Sequence, residues 1–256
     1  MAAIDFEDEV EVVILIKAAP EIGRRHGETV CVAGLDRYGR WHRLYPVPYK
    51  DLQQSQRFNR WDRVRVRWRR PGDDNRPESK RIDPQSLRVV GAVPQAERGA
   101  FIERAIVRSL EVEYSSGRSL ALIRPERPEL RIKRLSAHEL AKSQRRRDEL
   151  HAQADMFANA EIPKQAPPYS FRFVFEHAGK QREYQCLDWE TEWTFFKWRE
   201  KYGEDATLKM MIETWSSFRD RGLVFAMGTH RVSHWRNWLL SGLIRIDQPQ
   251  QGQFAL

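Results

Sequence analysis

The sequence predicts an α+β protein in two parts: an N-terminal β-rich region, folded as a small barrel or a strongly twisted sheet, and a C-terminal ββααββ domain. Three observations predict it. Short β-type segments separated by turn signals fill the first hundred residues. A Pro-rich stretch, IPKQAPPY at 162–169, marks a linker. Beyond it come a hairpin, two helical stripes and two closing strands. The expected division is 1–135 for the β-rich domain, 136–168 for a bridging helix and linker, and 169–256 for the α+β domain.

The first strand is EVEVVILIK (9–17), β-branched and at least half buried. ETVCVAGLD (28–36) and RWHRLYPVP (40–48) flank a turn at Tyr38-Gly39. DRVRVRW (62–68) is stopped by Pro71-Gly72, and SLRVVGAV (86–93) is a fifth strand. Phe101, Ile102, Ala105, Ile106 and Leu110 share one helical stripe, and SLALIRP (119–125) is expected to return to the first sheet, ended by Pro125 and Pro128. Ser136 and Glu139 form a capping box for a highly charged helix with a thin apolar stripe, the pattern of a bridging helix.

After the linker, FRFVF and REYQC form a hairpin around Ala178-Gly179. Asp188 caps a helix that stops at Gly203, and Leu208, Met211, Ile212, Trp215 and Phe218 define the next helical face. LVFAMG and WLLSGLIRI close the domain.

The chain has 256 residues, 44 Lys and Arg against 36 Asp and Glu, and a net charge of +8, which favours an anionic partner. The charge is concentrated: residues 1–17 carry a net −4, and residues 60–90 carry +5. No apolar run is long enough to span a bilayer, so no membrane partner is expected. The acidic start has no apolar secretory core, and two cysteines without a CxxC pair suit a reducing cytoplasm.

The stretches ETVCVAGLDRYGRWHRLYPVP, RPES, SLALIRP, DWE and GTH…WLLSGL together resemble a group of uncharacterised prokaryotic two-part proteins. The resemblance spans most of the chain and implies an architecture without an activity. It also implies a hairpin before DWE in which relatives carry extra cysteine and histidine; of that set His177 and Cys186 remain here.

The strongest candidate site is the ladder Arg63, Arg65, Arg67 and Arg69, which alternates with Val64, Val66 and Trp68. An open ladder beside Trp41 and Tyr45 offers guanidinium groups to phosphates and rings to bases. Alternatively, Glu9 and Glu11 on a neighbouring strand cross-pair with it. A second cluster, THRVSHWRNW, supplies Arg231, Trp235, Arg236 and Trp238, with core packing as the alternative for the two tryptophans. His230 and His234 are too few for a tetrahedral zinc site, and no cofactor is expected.

The leading expectation is therefore a protein that binds nucleic acid, single-stranded or modified. A second reading, a metal-assisted nuclease or nucleotide hydrolase, would bring Asp188 and Glu190 to His230 around a divalent metal. In the bland version of that motif both acids merely complement a helix N-terminus. GDDNRPESK holds a superficial E-x-K nuclease half-site at Glu78 and Lys80, for which a local turn is the simpler account. A third reading is an adaptor whose arginine face meets an acidic protein. P-loop, dinucleotide-binding GxGxxG, GxSxG and HExxH motifs are all missing.

Overall fold

A computed structural model describes residues 6, 8–23, 27–48, 52–154, 165–218, 222–229 and 237–246. Strands β1 (Asp8–Gly23), β2 (Gly27–Leu35), β3 (Trp41–Tyr45), β4 (Asp62–Arg69) and β5 (Ser79–Ile82) form a sheet in the order β1-β2-β3-β5-β4. Pairing of β4 with β1 closes it into a five-stranded barrel. The β3–β5 pair is parallel, and its other pairs are antiparallel. A further strand, β6 (Arg88–Ala92), extends the edge of β4.

Alternation along these strands decides what fills the barrel. Val12, Ile14, Val32, Leu44, Val64, Val66 and Ile82 form its interior with Phe58 and Leu87. The run Val12–Ile16 is continuously apolar because β1 is covered on both faces: Val13 and Leu15 point outward into a second core. Close passage of β2 past β1 requires Gly34, where a Cβ would lie 1.9 Å from the Val13 carbonyl oxygen.

The chain then passes through α1 (Arg98–Glu103) and α2 (Leu110–Ser115) into β7 (Leu120–Ile123) and β8 (Glu126–Arg134). Strand β7 does not return to the first sheet, as its sequence position suggested. It pairs with β11 (Leu223–Thr229), which pairs with β12 (Trp238–Arg245). The reason is two-sided burial: Leu120 and Leu122 meet the outer wall of the barrel, while Ala121 and Ile123 join the C-terminal core. Strand β8, unanticipated because of its prolines, pairs with β9 (Tyr169–His177) and accommodates Pro128 at a register shift between Glu126 and Glu129.

Helix α3 (Ala137–Ala154) starts at the expected capping box, with Glu139 N donating to Ser136 Oγ at 3.2 Å and Ser136 N donating to the Glu139 carboxylate at 2.8 Å. Beyond the linker, β9, β10 (Lys180–Gln185), α4 (Trp189–Tyr202), α5 (Glu204–Ser217), β11 and β12 follow in the expected ββααββ order. Two three-stranded sheets, β10-β9-β8 and β12-β11-β7, enclose Phe171, Phe173, Phe175, Phe225 and Met227 with Phe195, Met211 and Trp215 of the helices. No helix among the described residues is long and apolar enough to cross a membrane.

Candidate nucleic-acid interface

Burial of Val64 and Val66 inside the barrel turns Arg63, Arg65, Arg67 and Arg69 to its outer wall. The antiparallel register then sets Glu11 opposite Arg65 and Glu9 opposite Arg67. Arg65 bonds to Glu11 at 2.8 Å and lies 3.6 Å from Glu9, which also meets Arg88 of β6 at 2.8 Å. Arg67 pairs with Asp83 at 2.8 Å. The two acidic neighbours foreseen as a quench are thus in place for the middle of the ladder. These exposed pairs are individually weak, about 0.2–1 kcal/mol, so they are easily exchanged for other anions.

The two ends of the ladder differ from its middle. Among the described residues Arg63 has no ion pair, and neither does Arg69, whose guanidinium lies 5.9 Å from the Phe6 ring centre and whose buried Nε lacks a hydrogen-bond partner. Arg69 stands opposite Arg81 of β5, and Arg81 stands opposite Tyr45 of β3. Tyr45, Arg81 and Arg69 therefore form one outward row across three adjacent strands. Tyr45 is half-buried and donates its hydroxyl to Asp73 at 3.2 Å. Burial, with Asp73 and Asp74 beside it, raises the phenol above its ordinary pKa and keeps it neutral.

Other expected aromatic contacts are used for packing. Trp41 leaves the ladder and packs against the core between barrel and C-terminal sheet. Trp238 is only 6% exposed in the C-terminal core, so it cannot stack on a base without unpacking. His230, Arg231, Trp235 and Arg236 lie outside the described residues, as does His234.

The carboxylates of the hydrolase reading are occupied. Asp188 is buried; it accepts from Glu190 N at 3.0 Å as the cap of α4 and from Leu243 N at 2.7 Å. Arg60 reaches it from the barrel at 3.4 Å, contacts Glu190 at 3.4 Å and also donates to the Leu243 carbonyl. Asp188 and Glu190 thus take part in a clasp between barrel and C-terminal strands, while His230, the third member of that reading, lies outside the described residues. Among the described residues no group of three His, Cys, Asp or Glu side chains is positioned to hold a metal ion.

What sequence reasoning undervalued is GDDNRPESK. Asp74, Arg76, Glu78, Ser79 and Lys80 are all at most 8% exposed. Asp74 takes Arg76 Nη2 at 2.7 Å and Ser79 Oγ at 2.8 Å, while Arg76 Nη1 donates to the Thr229 carbonyl at 2.9 Å. Glu78 accepts from both the backbone and the hydroxyl of Ser119 at 2.8 Å. Burial works against ionisation of Asp74, but its bonds to Arg76 and Ser79 prevail and hold its carboxyl below the usual range. The stretch fastens the barrel to β7 and β11. Its density of charge without a nearby motif partner was the one signal available in sequence, and only the fold supplies the partners.

Comparison with known proteins agrees with a two-part chain of unassigned activity. No curated protein matches it. A solved structure described as "Molecular basis for abrogation of activation of pro-inflammatory cytokines" aligns at 11% identity and a TM-score of 0.32 over 71% of this chain and 76% of its own, a likeness too slight to argue from. Residues 8–107 match the model of a domain of unknown function, DUF8758, and residues 105–256 match that of another, DUF8757. Both models describe this molecule in sequence order, and the chain belongs to the DUF8757 domain family, with a DUF8758 domain preceding it.

Proposed function

We propose that the protein binds nucleic acid, single-stranded or modified DNA or RNA, along the outer wall of its barrel formed by β4, β5 and the end of β3. The observation that supports this reading most is the Tyr45–Arg81–Arg69 row continuing into the arginine ladder. A basic track beside an aromatic platform is the combination that holds a strand by its phosphates while stacking its bases. On that wall Arg63, Arg65, Arg67, Arg69, Arg81 and Arg88 outnumber Glu9, Glu11, Asp73 and Asp83 among the described residues, so cationic charge is in excess.

The barrel adds an analogy of fold. Strand order β1-β2-β3-β5-β4 closed on β1 is that of the oligonucleotide/oligosaccharide-binding barrel. In that architecture the face of strands 2 and 3 usually takes the ligand. Here Ala33, Leu35 and Trp41 of this face pack against Leu120, Leu122, Val224 and Ala226 of the C-terminal unit. The open wall is therefore displaced to β4.

Fluorescence anisotropy with labelled single-stranded DNA and RNA across a salt series tests the proposal. Affinity is expected to fall with salt, with a slope of about −0.7 per phosphate contacted. Replacing Arg63 and Arg69 by Glu should weaken binding about tenfold or more and flatten the slope by about 1.4. Salt-independent binding, or unchanged affinity in the double variant, would remove this wall as the interface.

A further inference from the structure

The turn between β2 and β3 carries an aromatic ring that neither the turn nor a core uses. Asp36, only 5% exposed, fixes the backbone there: its carboxylate accepts from Tyr38 N and Arg40 N at 2.9 Å and from Arg40 Nε at 2.7 Å, and meets His42 Nε2 at 3.1 Å. Asp36 N donates to the Arg40 carbonyl and Gly39 N to the Asp36 carbonyl, both at 3.0 Å, with Gly39 at a φ of +77°. The side chain of Tyr38 takes no part in this framework. At 60% exposed it is the most exposed large apolar side chain among the described residues, and it packs in none of the three cores.

Three arginines gather at the same turn. Arg37 lies 4.7 Å and Arg40 5.2 Å from the Tyr38 ring centre, and Arg37 Nη2 also donates to the Tyr38 hydroxyl. Arg104, which follows α1, stands beside them: a Cβ on Gly39 would lie 4.0 Å from the Arg104 Cβ. All three are exposed. Arg40 is ion-paired through Nε to the buried Asp36 yet keeps a side chain 70% exposed, and among the described residues Arg37 and Arg104 have no ion pair. Glu103, next to Arg104 in the chain, is taken by Arg124. The turn thus shows solvent an aromatic face in a cationic setting, held in one conformation before any ligand arrives.

The turn is also continuous with the arginine wall. Strand β4 is antiparallel to β5, and β5 is parallel to β3, so the ladder on β4 runs toward this end of the barrel. Arg70, which follows β4, and Arg40 both act electrostatically on Lys80 of β5. Tyr45 and the turn occupy opposite ends of β3, about 13 Å apart at strand rise.

An acidic peptide would satisfy the arginines and leave the ring without a role. A paired base in a duplex has no free face, whereas an unpaired base can stack on an aromatic side chain. We propose that the β2–β3 turn is a base-stacking site for single-stranded nucleic acid, in which Tyr38 takes one unpaired base and Arg37, Arg40 and Arg104 take the flanking phosphates. This rests on the reading of the barrel wall as a nucleic-acid interface and narrows its ligand to strands with unpaired bases. Because Asp36 already orders the turn, little conformational entropy is lost on binding.

The test is fluorescence anisotropy of the full chain with labelled oligodeoxythymidylate, an abasic strand of equal length and the corresponding duplex. Tyr38→Ala should weaken oligodeoxythymidylate binding about tenfold, leave abasic-strand binding and the salt slope unchanged, and Tyr38→Phe should bind as the unmodified protein does. Arg37→Gln should flatten the salt slope by about 0.7. In the unmodified protein, a strand carrying 5-iodouracil should photocross-link to Tyr38, located by mass spectrometry of the peptides; this readout needs no variant. Unchanged affinity in Tyr38→Ala, an equal loss on the abasic strand, or cross-linking that avoids Tyr38 overturns the site. So does a duplex that binds as tightly as the single strand, and competition by polyglutamate as strong as by oligodeoxythymidylate assigns the turn to an acidic protein instead. If Tyr38→Ala is silent while charge reversal at Arg63 and Arg69 still weakens binding, the wall stands without this site; failure of every oligonucleotide to bind removes both.

Discussion

Lys80 illustrates how one residue changes meaning when its neighbours are known. In GDDNRPESK it looks like part of a charged turn, and in the barrel it is a side chain only 8% exposed with its ammonium over the Trp68 ring. Because burial lowers its folded pKa to about 8, from 10.5, the unfolded chain binds more protons between those values. Stability therefore rises with pH across that window, and the penalty is complete below it. Lys80→Met should therefore raise stability at neutral pH. The gain should shrink as pH climbs from about 8 to 10.5, which thermal unfolding at several pH values would read directly. A lower melting temperature for the variant at neutral pH would mean that packing of the lysine stem over Trp68 outweighs the buried charge.

At the scale of elements, β4 and β1 form a pair whose faces have opposite duties. Inward, Val64 and Val66 meet Val12 and Ile14; outward, arginines meet Glu9 and Glu11. Such exposed cross-strand pairs contribute about 0.2–1 kcal/mol each, so their removal should scarcely touch the fold. They do compete with phosphates for Arg65 and Arg88. Replacing Glu9 and Glu11 by Gln is therefore expected to shift the unfolding midpoint little while strengthening oligonucleotide binding and steepening its salt dependence. Anisotropy titrations of this double variant measure the effect; weaker binding would show that the carboxylates orient the arginines instead of quenching them.

The whole molecule is held together by a mixed seam. Its apolar part joins Val13, Leu15, Leu35 and Trp61 of the barrel to Leu120, Leu122, Val224 and Ile244 of the C-terminal unit. Its polar part is the Asp74–Arg76–Thr229 and Glu78–Ser119 network, with the Arg60–Asp188 clasp alongside. Removing one partner of a buried ion pair leaves the other uncompensated, at about 3–5 kcal/mol. Arg76→Met should incur a loss of that order in denaturant unfolding, and the Asp74→Leu/Arg76→Met double variant should recover much of it. The sign for acid follows from the depressed Asp74 pKa: its contribution is full above the ordinary carboxylate range and lost as pH falls through the folded value.

Sequence alone determined four strands of the barrel, β1 to β4, the ββααββ order and the arginine alternation, because these depend on local period, capping and turn residues; the fifth barrel strand, β5, lies where the sequence reads as a turn, and the segment 86–93 read as the fifth is β6, added at the edge of β4. It also named both possible neighbours of the ladder. Local patterns could not decide between them, since Glu9 and Arg67 are far apart in the chain and only register brings them face to face. The same limit applies to β7: LALI announces a strand buried on both faces but not which sheet receives it. Tertiary structure decided that sheet, sent Trp41 and Trp238 into cores, tied Asp188 to backbone amides, and set Lys80 over Trp68 and His42 against Asp36 inside the barrel. In each case the deciding quantity was the desolvation of a side chain by residues distant in sequence, which no local pattern records.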